Sequence, residues 1–520
     1  MNSAGKLTAT VALLAAVGAA SQANAQAFTN AGKGLVDYSR AELTPRQTCD
    51  AVAAGKWKEV IDIKAAVVDA TGQVPAYCRV TGTIAPEVAF EVSLPARWNG
   101  RFYMIGNGGH AGESLEDAGR VTQRHGALQL GFAFAQTNTG HDSRKEAGGT
   151  FVLSNPQKAI DYAYRAVHVT ATTAKNMIAA YYPKPAAHSY WNSCSNGGRQ
   201  GLLEAQRYPK DFDGVLANAP WTDQTGFTIG AMWSQRALAD VSMTSAKLTL
   251  LAEKVIARCD AVDGLKDGLI DDPRRCDFNP RRDVPACPVG VDEASCLTAE
   301  QADAVAKVYG GPVANGRKLF PGFEPGSESV WLNMLVPAQP GAKPAVFGLA
   351  ENTMRYLVHT PPKPDYDYRT FDFARDVKLL EKWGKKANAT NPDLSRFRAR
   401  GGKVIMTYGW ADQILQPQMG VNYYEAALRR NGPRTPDFLR LFMVPGMTHC
   451  SGGTGTDQFD AMTALIDWVE AKKAPDSIRA ARVINGRELR SRPLCPYPQV
   501  ARHSGNGSID DAANFSCVAP

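Results

Sequence analysis

Short, mainly apolar runs recur along this 520-residue chain, each closed by small or polar residues. Arg101–Ile105, His188–Ser193, Lys403–Tyr408 and Arg440–Val444 have the length and texture of strands buried in a sheet. Each leads into Gly-rich or polar residues and then, downstream, into a helical pattern. Strands alternating with helices predict an α/β domain with a largely parallel sheet, whose ligands gather at the carboxyl ends of the strands.

The texture changes between Pro220 and Asn391. This stretch holds four cysteines, a cluster of aspartates, many Pro and Gly, and few strand-like alternations. It predicts a second domain inserted at 220–391 and projecting over the strand ends as a lid. The α/β domain is then split into 26–219 and 392–520.

Ahead of it, Lys6, an Ala/Leu/Val-rich stretch from Leu7 to Ala20 and the tripeptide Ala23-Asn24-Ala25 form the pattern of a secretory signal peptide, cut near Ala25. The expected destination is the periplasm or the exterior. No later segment reaches roughly 18 uninterrupted apolar residues, so no membrane partner is expected. A composition of 44% hydrophobic and 21% charged residues is that of a folded globular protein. The net charge of +7 is spread without a basic stripe, which excludes nucleic acid as an expected partner. Nothing in the pattern selects an oligomeric state.

Ten cysteines in an exported chain, with no C-x-x-C pair, read as five disulfides. Sequence order suggests Cys49 with Cys78, Cys259 with Cys276, Cys287 with Cys296 and Cys495 with Cys517. Cys194 and Cys450 remain, and each borders a residue of chemical interest.

The run Trp191-Asn192-Ser193-Cys194-Ser195-Asn196-Gly197-Gly198 sits where a strand meets a helix. A serine at such a turn projects its hydroxyl from the sheet, and small neighbours relieve the crowding. The usual G-x-S-x-G is here S-x-S-x-G, with Ser193 at the first glycine position; a glycine-rich helix start with an ordinary capping serine is the alternative. A serine nucleophile needs a base held by a carboxylate, in the chain order Ser, Asp or Glu, His. Asp412 and His449 each lie just past a predicted strand, in that order. If Ser195 and His449 meet, Cys194 and Cys450 become neighbours and can bond; the rival reading makes Cys194 itself the nucleophile. Oxyanion donors are expected from the Asn196 amide and from Gly108 or Gly109, in the Gly-rich loop after Arg101–Ile105. That loop lacks the Gly-Lys-Ser/Thr ending of a phosphate cradle.

Residues 260–272 hold five aspartates interleaved with glycines. Hard oxygen donors in tight turns suit Ca²⁺, although the spacing is not that of an EF-hand; a solvated polar turn is the alternative. The loop falls in the lid segment, so an effect on lid order and substrate binding is expected, more than one on the chemistry of Ser195.

Together these residues resemble the tannase, feruloyl esterase and mono(2-hydroxyethyl) terephthalate hydrolase family, whose signature is a Cys-Ser-x-Gly-Gly elbow, a later Asp and a His-Cys pair. The resemblance extends to Trp98-Asn99-Gly100-Arg101-Phe102, Thr137-Asn138-Thr139-Gly140-His141 and the Asp-Gly-x-x-Asp-Gly loop. It implies an α/β-hydrolase fold with a large inserted lid, Ser195 as nucleophile, Asp412 as orienting acid and His449 as base. It further implies calcium held by the carboxylates of Asp260, Asp263 and Asp267 and the carbonyls of Leu265 and Leu269. The implied substrate is a small aromatic ester, feruloyl before galloyl or terephthaloyl, with Arg355 in the lid meeting its polar end. A non-catalytic calcium-dependent binding protein is the reading from another class.

Overall fold

The computed structural model describes residues 27–40, 42–339 and 342–520; the signal-peptide pattern lies outside them. Nine strands form the main sheet: β1 Val60–Val68, β2 Tyr77–Ile84, β3 Val88–Pro95, β4 Arg101–Ile105, β5 Ala133–Thr137, β6 His188–Cys194, β7 Gly214–Asn218, β8 Lys403–Gly409 and β9 Leu439–Val444. Their order is β1-β2-β3-β5-β4-β6-β7-β8-β9. From β5 to β9 every neighbouring pair is parallel, while β1, β2 and β3 form an antiparallel meander that joins β5 antiparallel.

The parallel strands are mainly apolar and largely buried because both faces are covered. Phe102 and Met104 of β4 enter one core with Trp191, Val215 and Met406, while Tyr103 and Ile105 enter a second with Tyr190, Leu216 and Ile405. Period-2 alternation thus divides one strand between two cores. The meander was not anticipated from the sequence. β1 is an edge strand with mostly half-exposed or exposed side chains, and its polar interruptions hide it.

The longer helices are α1 Ala118–Gln129, α2 Ala166–Tyr181, α3 Asn196–Arg207, α4 Gln224–Leu238, α5 Ser245–Cys259, α6 Ala299–Gly310, α7 Ala345–Asn352, α8 Glu381–Ala387, α9 Gln418–Asn431 and α10 Ala461–Glu470. Between β7 and β8 the chain leaves the sheet for a helical lid, in which α4 packs against α6, α7 and α8. Sheet, flanking helices and inserted lid make this an α/β-hydrolase fold. After β9 and α10 the chain ends in small antiparallel sheets, including Ile478–Ile484 paired with Arg487–Leu494 and Val500–His503 paired with Phe515–Val518. All five disulfides are formed: Cys49–Cys78, Cys194–Cys450, Cys259–Cys276, Cys287–Cys296 and Cys495–Cys517.

Candidate active site

Ser195 stands between β6 and α3 with φ 63° and ψ −124°, a conformation that side chains other than glycine rarely adopt. Three backbone bonds pin it: its N–H donates to the Asn218 carbonyl (2.9 Å), and its own carbonyl accepts from Trp221 (3.0 Å) and Arg199 (3.1 Å). Gly198 is obligatory, because a Cβ there would lie 2.7 Å from the Asn218 carbonyl oxygen and 2.8 Å from the Pro220 Cα. The first-position serine is accommodated by Gly197. A Cβ on Gly197 would fall 1.9 Å from Ser193 Oγ, so the Ser193 hydroxyl occupies space that this glycine leaves open.

Asp412 follows β8 and His449 follows β9, and these strands are parallel neighbours. His449 Nδ1 lies 2.7 Å from Asp412 Oδ2, while Asp412 Oδ1 accepts from the amides of Ile414 (2.9 Å) and Leu415 (2.8 Å). Both side chains are buried. Gly409 lets the two loops touch, since a Cβ there would sit 2.2 Å from the Met447 carbonyl oxygen. The Cys194–Cys450 bridge joins the serine turn to the histidine loop, and its sulfurs and a His449 ring nitrogen lie within 4.8 Å of one another. With both thiols oxidised, Cys194 cannot serve as nucleophile. Among the described residues no hydrogen bond links the Ser195 hydroxyl to the imidazole; such bonds commonly close around a bound substrate.

Of the two loop glycines, the structure withdraws Gly108: its amide donates to Glu113 Oε1 at 2.7 Å. The amides of Gly109 and Asn196 have no partner among the described residues, and Asn196 opens α3 without a side-chain cap. Glu113 Oε2 also accepts from Asn107 Nδ2 (2.8 Å) and Arg120 Nη1 (3.1 Å), which fastens the loop from behind. A lone Glu five residues past the glycine carries no sequence signal of that role.

The lid reaches the loop through α7 and the π-helical turn Thr353–Val358 that continues it. Leu349 Cδ2 lies 3.7 Å from where a Gly109 Cβ would stand, and Thr353 Oγ1 is 3.0 Å from His110 Nε2. Burial, and then the neighbouring His141 and Arg199, push the His110 imidazole down to about 3, so it is neutral. Arg355 is engaged within the lid, on Glu351 Oε1 (2.9 Å) and the Tyr366 carbonyl (3.3 Å).

In the aspartate loop, Asp260 Oδ1 accepts from the amides of Asp267 (3.0 Å) and Gly268 (2.9 Å), and Asp263 Oδ1 from Leu265 (2.8 Å). Asp267 Oδ1 accepts from Leu269 (3.1 Å), while its Oδ2 meets Arg492 at 2.5 Å. Asp271, not singled out in the sequence, is held up to about 7 by burial and then by the charges of Asp263 and Asp267. The loop's position differs from the expected one. Leu269 Cδ2 would lie 2.8 Å from a Cβ on Gly446, so the loop leans on the turn that carries His449, and Arg274 covers the ring of Trp410 two residues before Asp412. Sequence placement in the inserted segment hid this contact with the catalytic loops.

The profile of the family described as tannase and feruloyl esterase matches residues 68–518. The chain is 32% identical to the mono(2-hydroxyethyl) terephthalate hydrolase of Piscinibacter sakaiensis, over 92% of each chain. It is 36% identical to an uncharacterized esterase of Xanthomonas campestris, over 85% of this chain and 84% of that one. The crystal structure of feruloyl esterase B from Aspergillus oryzae superposes with a TM-score of 0.79 at 28% identity, covering 91% of this chain and all of the other.

Proposed function

The chain belongs to the tannase and feruloyl esterase family and is a carboxylic ester hydrolase; from that premise we propose that it cleaves esters of aromatic or phenolic acids through an acyl-enzyme on Ser195. The observation that carries the reading is the buried Asp412–His449 pair at 2.7 Å, cross-linked by Cys194–Cys450 to a serine held at positive φ. His449 takes the Ser195 proton as the hydroxyl attacks the ester carbonyl, and the Asp412 carboxylate stabilises the imidazolium and holds its orientation. The amides of Asn196 and Gly109 receive the oxyanion. His449 then protonates the departing alcohol, and water enters by the same base to release the acid. Hydroxycinnamoyl esters are the first candidates, in keeping with the feruloyl esterases among its relatives, and galloyl and terephthaloyl esters are the alternatives. Arg355 would meet the polar end of the acyl group only by exchanging its bond to Glu351.

Calcium suits the aspartate loop. The donors are all oxygen, and Asp260 and Asp267 lift the carboxyl of Asp263 after burial does, as expected of charges crowded at a cation site. Asp260, Asp263 and Asp267, with the carbonyls of Leu265 and Leu269, would hold the ion, whose contribution would be charge neutralisation and loop order. Five disulfides favour an oxidising compartment, the periplasm or the exterior.

The test is a panel of methyl ferulate, methyl gallate and mono(2-hydroxyethyl) terephthalate, assayed with the purified protein and with Ser195→Ala. Turnover of at least one substrate, lowered by about a thousandfold or more in Ser195→Ala without loss of thermal stability, is expected. A Ser195→Ala protein as active as the parent would overturn the mechanism.

A further inference from the structure

Two oxyanion donors come from different elements, the loop after β4 and the N-terminus of α3; Asn107 N–H donates to Gln200 Oε1 of α3 at 3.1 Å, and a further tie comes from outside both. One side chain touches both. Tyr162 Oη lies 3.0 Å from the Gly109 carbonyl oxygen and 3.3 Å from Asn196 Oδ1, and it accepts from Gln224 Nε2 at 2.7 Å. With a single proton to give, the hydroxyl serves the shorter contact, Gly109; Asn196 Oδ1 has a stronger donor in Arg199 Nε at 2.7 Å.

Holding the Gly109 carbonyl has a directional effect. A trans peptide is planar, so fixing that oxygen aims the His110 N–H the opposite way. The preceding peptide is set likewise, its Gly108 oxygen accepting from Ala111 at 2.7 Å, which aims the Gly109 N–H. Neither of these two amides has a partner among the described residues. The Gly109 amide is this loop's oxyanion donor, and the Tyr162 bond fixes the peptide that immediately follows it, so the backbone from which that amide projects is held from behind.

The hydroxyl is not needed for packing. The Tyr162 ring is buried against Phe151 (5.6 Å) and Trp383 (6.3 Å), with the Arg199 guanidinium 5.0 Å from its centre, and a phenylalanine would fill the same space. The residue also lies in the π-helical stretch Asp161–Arg165, a rare geometry found frequently at functional sites. Its phenol, raised by burial, stays protonated and remains a donor at neutral pH. Gln224 belongs to the first lid helix and accepts from Trp383 Nε1 at 3.3 Å, so the lid is anchored to the same hydroxyl.

We propose that Tyr162 is a positioning residue of the oxyanion hole, its hydroxyl holding the Gly109–His110 peptide and tying it to the lid through Gln224. This rests on the reading of the protein as a serine ester hydrolase.

The experiment compares the full-length parent, Tyr162→Phe and Tyr182→Phe. Tyr182 is a buried control whose hydroxyl donates to the Pro95 carbonyl at 2.6 Å, away from the site. Kinetics on the best substrate of the panel are measured alongside the affinity of an aryl boronic acid, which forms a tetrahedral adduct on serine, and of the acid product, which does not. Tyr162→Phe should lower kcat and boronate affinity by about tenfold each, less than the loss of a whole donor, with KM and product affinity within about twofold. Tyr182→Phe should leave all four unchanged. A variant carrying Tyr162→Phe and Gln224→Met, which removes the amide left without its acceptor, should show the same split if Tyr162→Phe alone folds poorly. Unchanged kcat and boronate affinity in a folded variant would overturn the proposal, as would parallel losses in kcat, product affinity and melting temperature. Failure of the underlying reading looks different: the parent itself would form no boronate adduct on Ser195.

Discussion

The serine turn and the aspartate loop are both tight and glycine-bearing, yet they are held by different forces. Around Ser195 glycines let backbone meet backbone, and the turn sits between two cores that the sheet divides. The aspartate loop has a satellite core of three buried residues, Val255, Cys259 and Ile270. Its order comes from carboxylates bonded to their own backbone and to Arg492, with Arg490 donating to the Asp267 carbonyl. A turn held by packing is complete in the chain itself; one crowded with like charges depends on whatever balances them. Leu269 rests on Gly446, so a disturbance of the charged loop reaches the histidine turn, which the Cys194–Cys450 bridge ties to the serine turn.

Alanine substitutions give the sharpest contrast. Gly198→Ala puts a methyl against the backbone of Asn218 and Pro220, which cannot move without moving Ser195. It should cost about 2 to 3 kcal/mol of stability and at least about a hundredfold in kcat/KM. Gly264 also matters, for another reason: its φ is +97°, but an added Cβ meets nothing within 4 Å. Gly264→Ala should cost only about 1 to 2 kcal/mol, with a small effect on kcat/KM. Urea midpoints and steady-state kinetics on both variants check this, and equal kinetic losses would erase the distinction.

Chelation comes next in size. If calcium balances the loop at about a hundred times its dissociation constant, its removal should cost on the order of 3 kcal/mol and lower the melting temperature. Because the loop leans on the histidine turn, kcat should fall along with any change in KM, and added calcium should restore both. Melting curves and kinetics with and without chelator, with metal analysis of the purified protein, decide the matter. An unchanged melting temperature with no stoichiometric calcium would leave Arg490 and Arg492 as the balancing charges.

What the sequence made legible follows the same division. β4, β6, β8 and β9 could be read because burial on both faces leaves an apolar run, and Ser195, Asp412 and His449 because they stand where those runs end. Pairings such as Cys259–Cys276 followed from proximity along the chain. Tyr162 and the contact of Leu269 with Gly446 could not be read, because each acts across a distance that only the folded chain closes; Glu113 is local, but a lone Glu beside a Gly-rich loop has no pattern that marks it. The meander strand β1 was hidden by its polar, half-exposed face. The choice between Gly108 and Gly109 turned on one carboxylate whose partner no local pattern reveals.

Protons probe the packed side. His141, in the loop after β5, is 2% exposed and stacks on Phe151 at 4.1 Å. Burial is the main force pushing its imidazole down to about 4, and His110 behaves alike. The sign follows from where the proton binds first. The unfolded imidazole titrates near 6.5 and the folded one lower, so the unfolded chain gains the proton first on acidification. The stabilisation is complete above about 6.5 and is lost as the pH falls toward 4. Glu324, lifted by burial to about 7, works in the opposite direction, so the total slope does not isolate the histidine. A difference does. Relative to the parent, His141→Asn should be roughly 2 kcal/mol less penalised at pH 5 than at pH 7, whatever constant loss the smaller side chain brings. Urea unfolding of both proteins at the two pH values measures it, and a gap that does not change with pH would mean that His141 titrates as freely in the folded protein as in the unfolded chain.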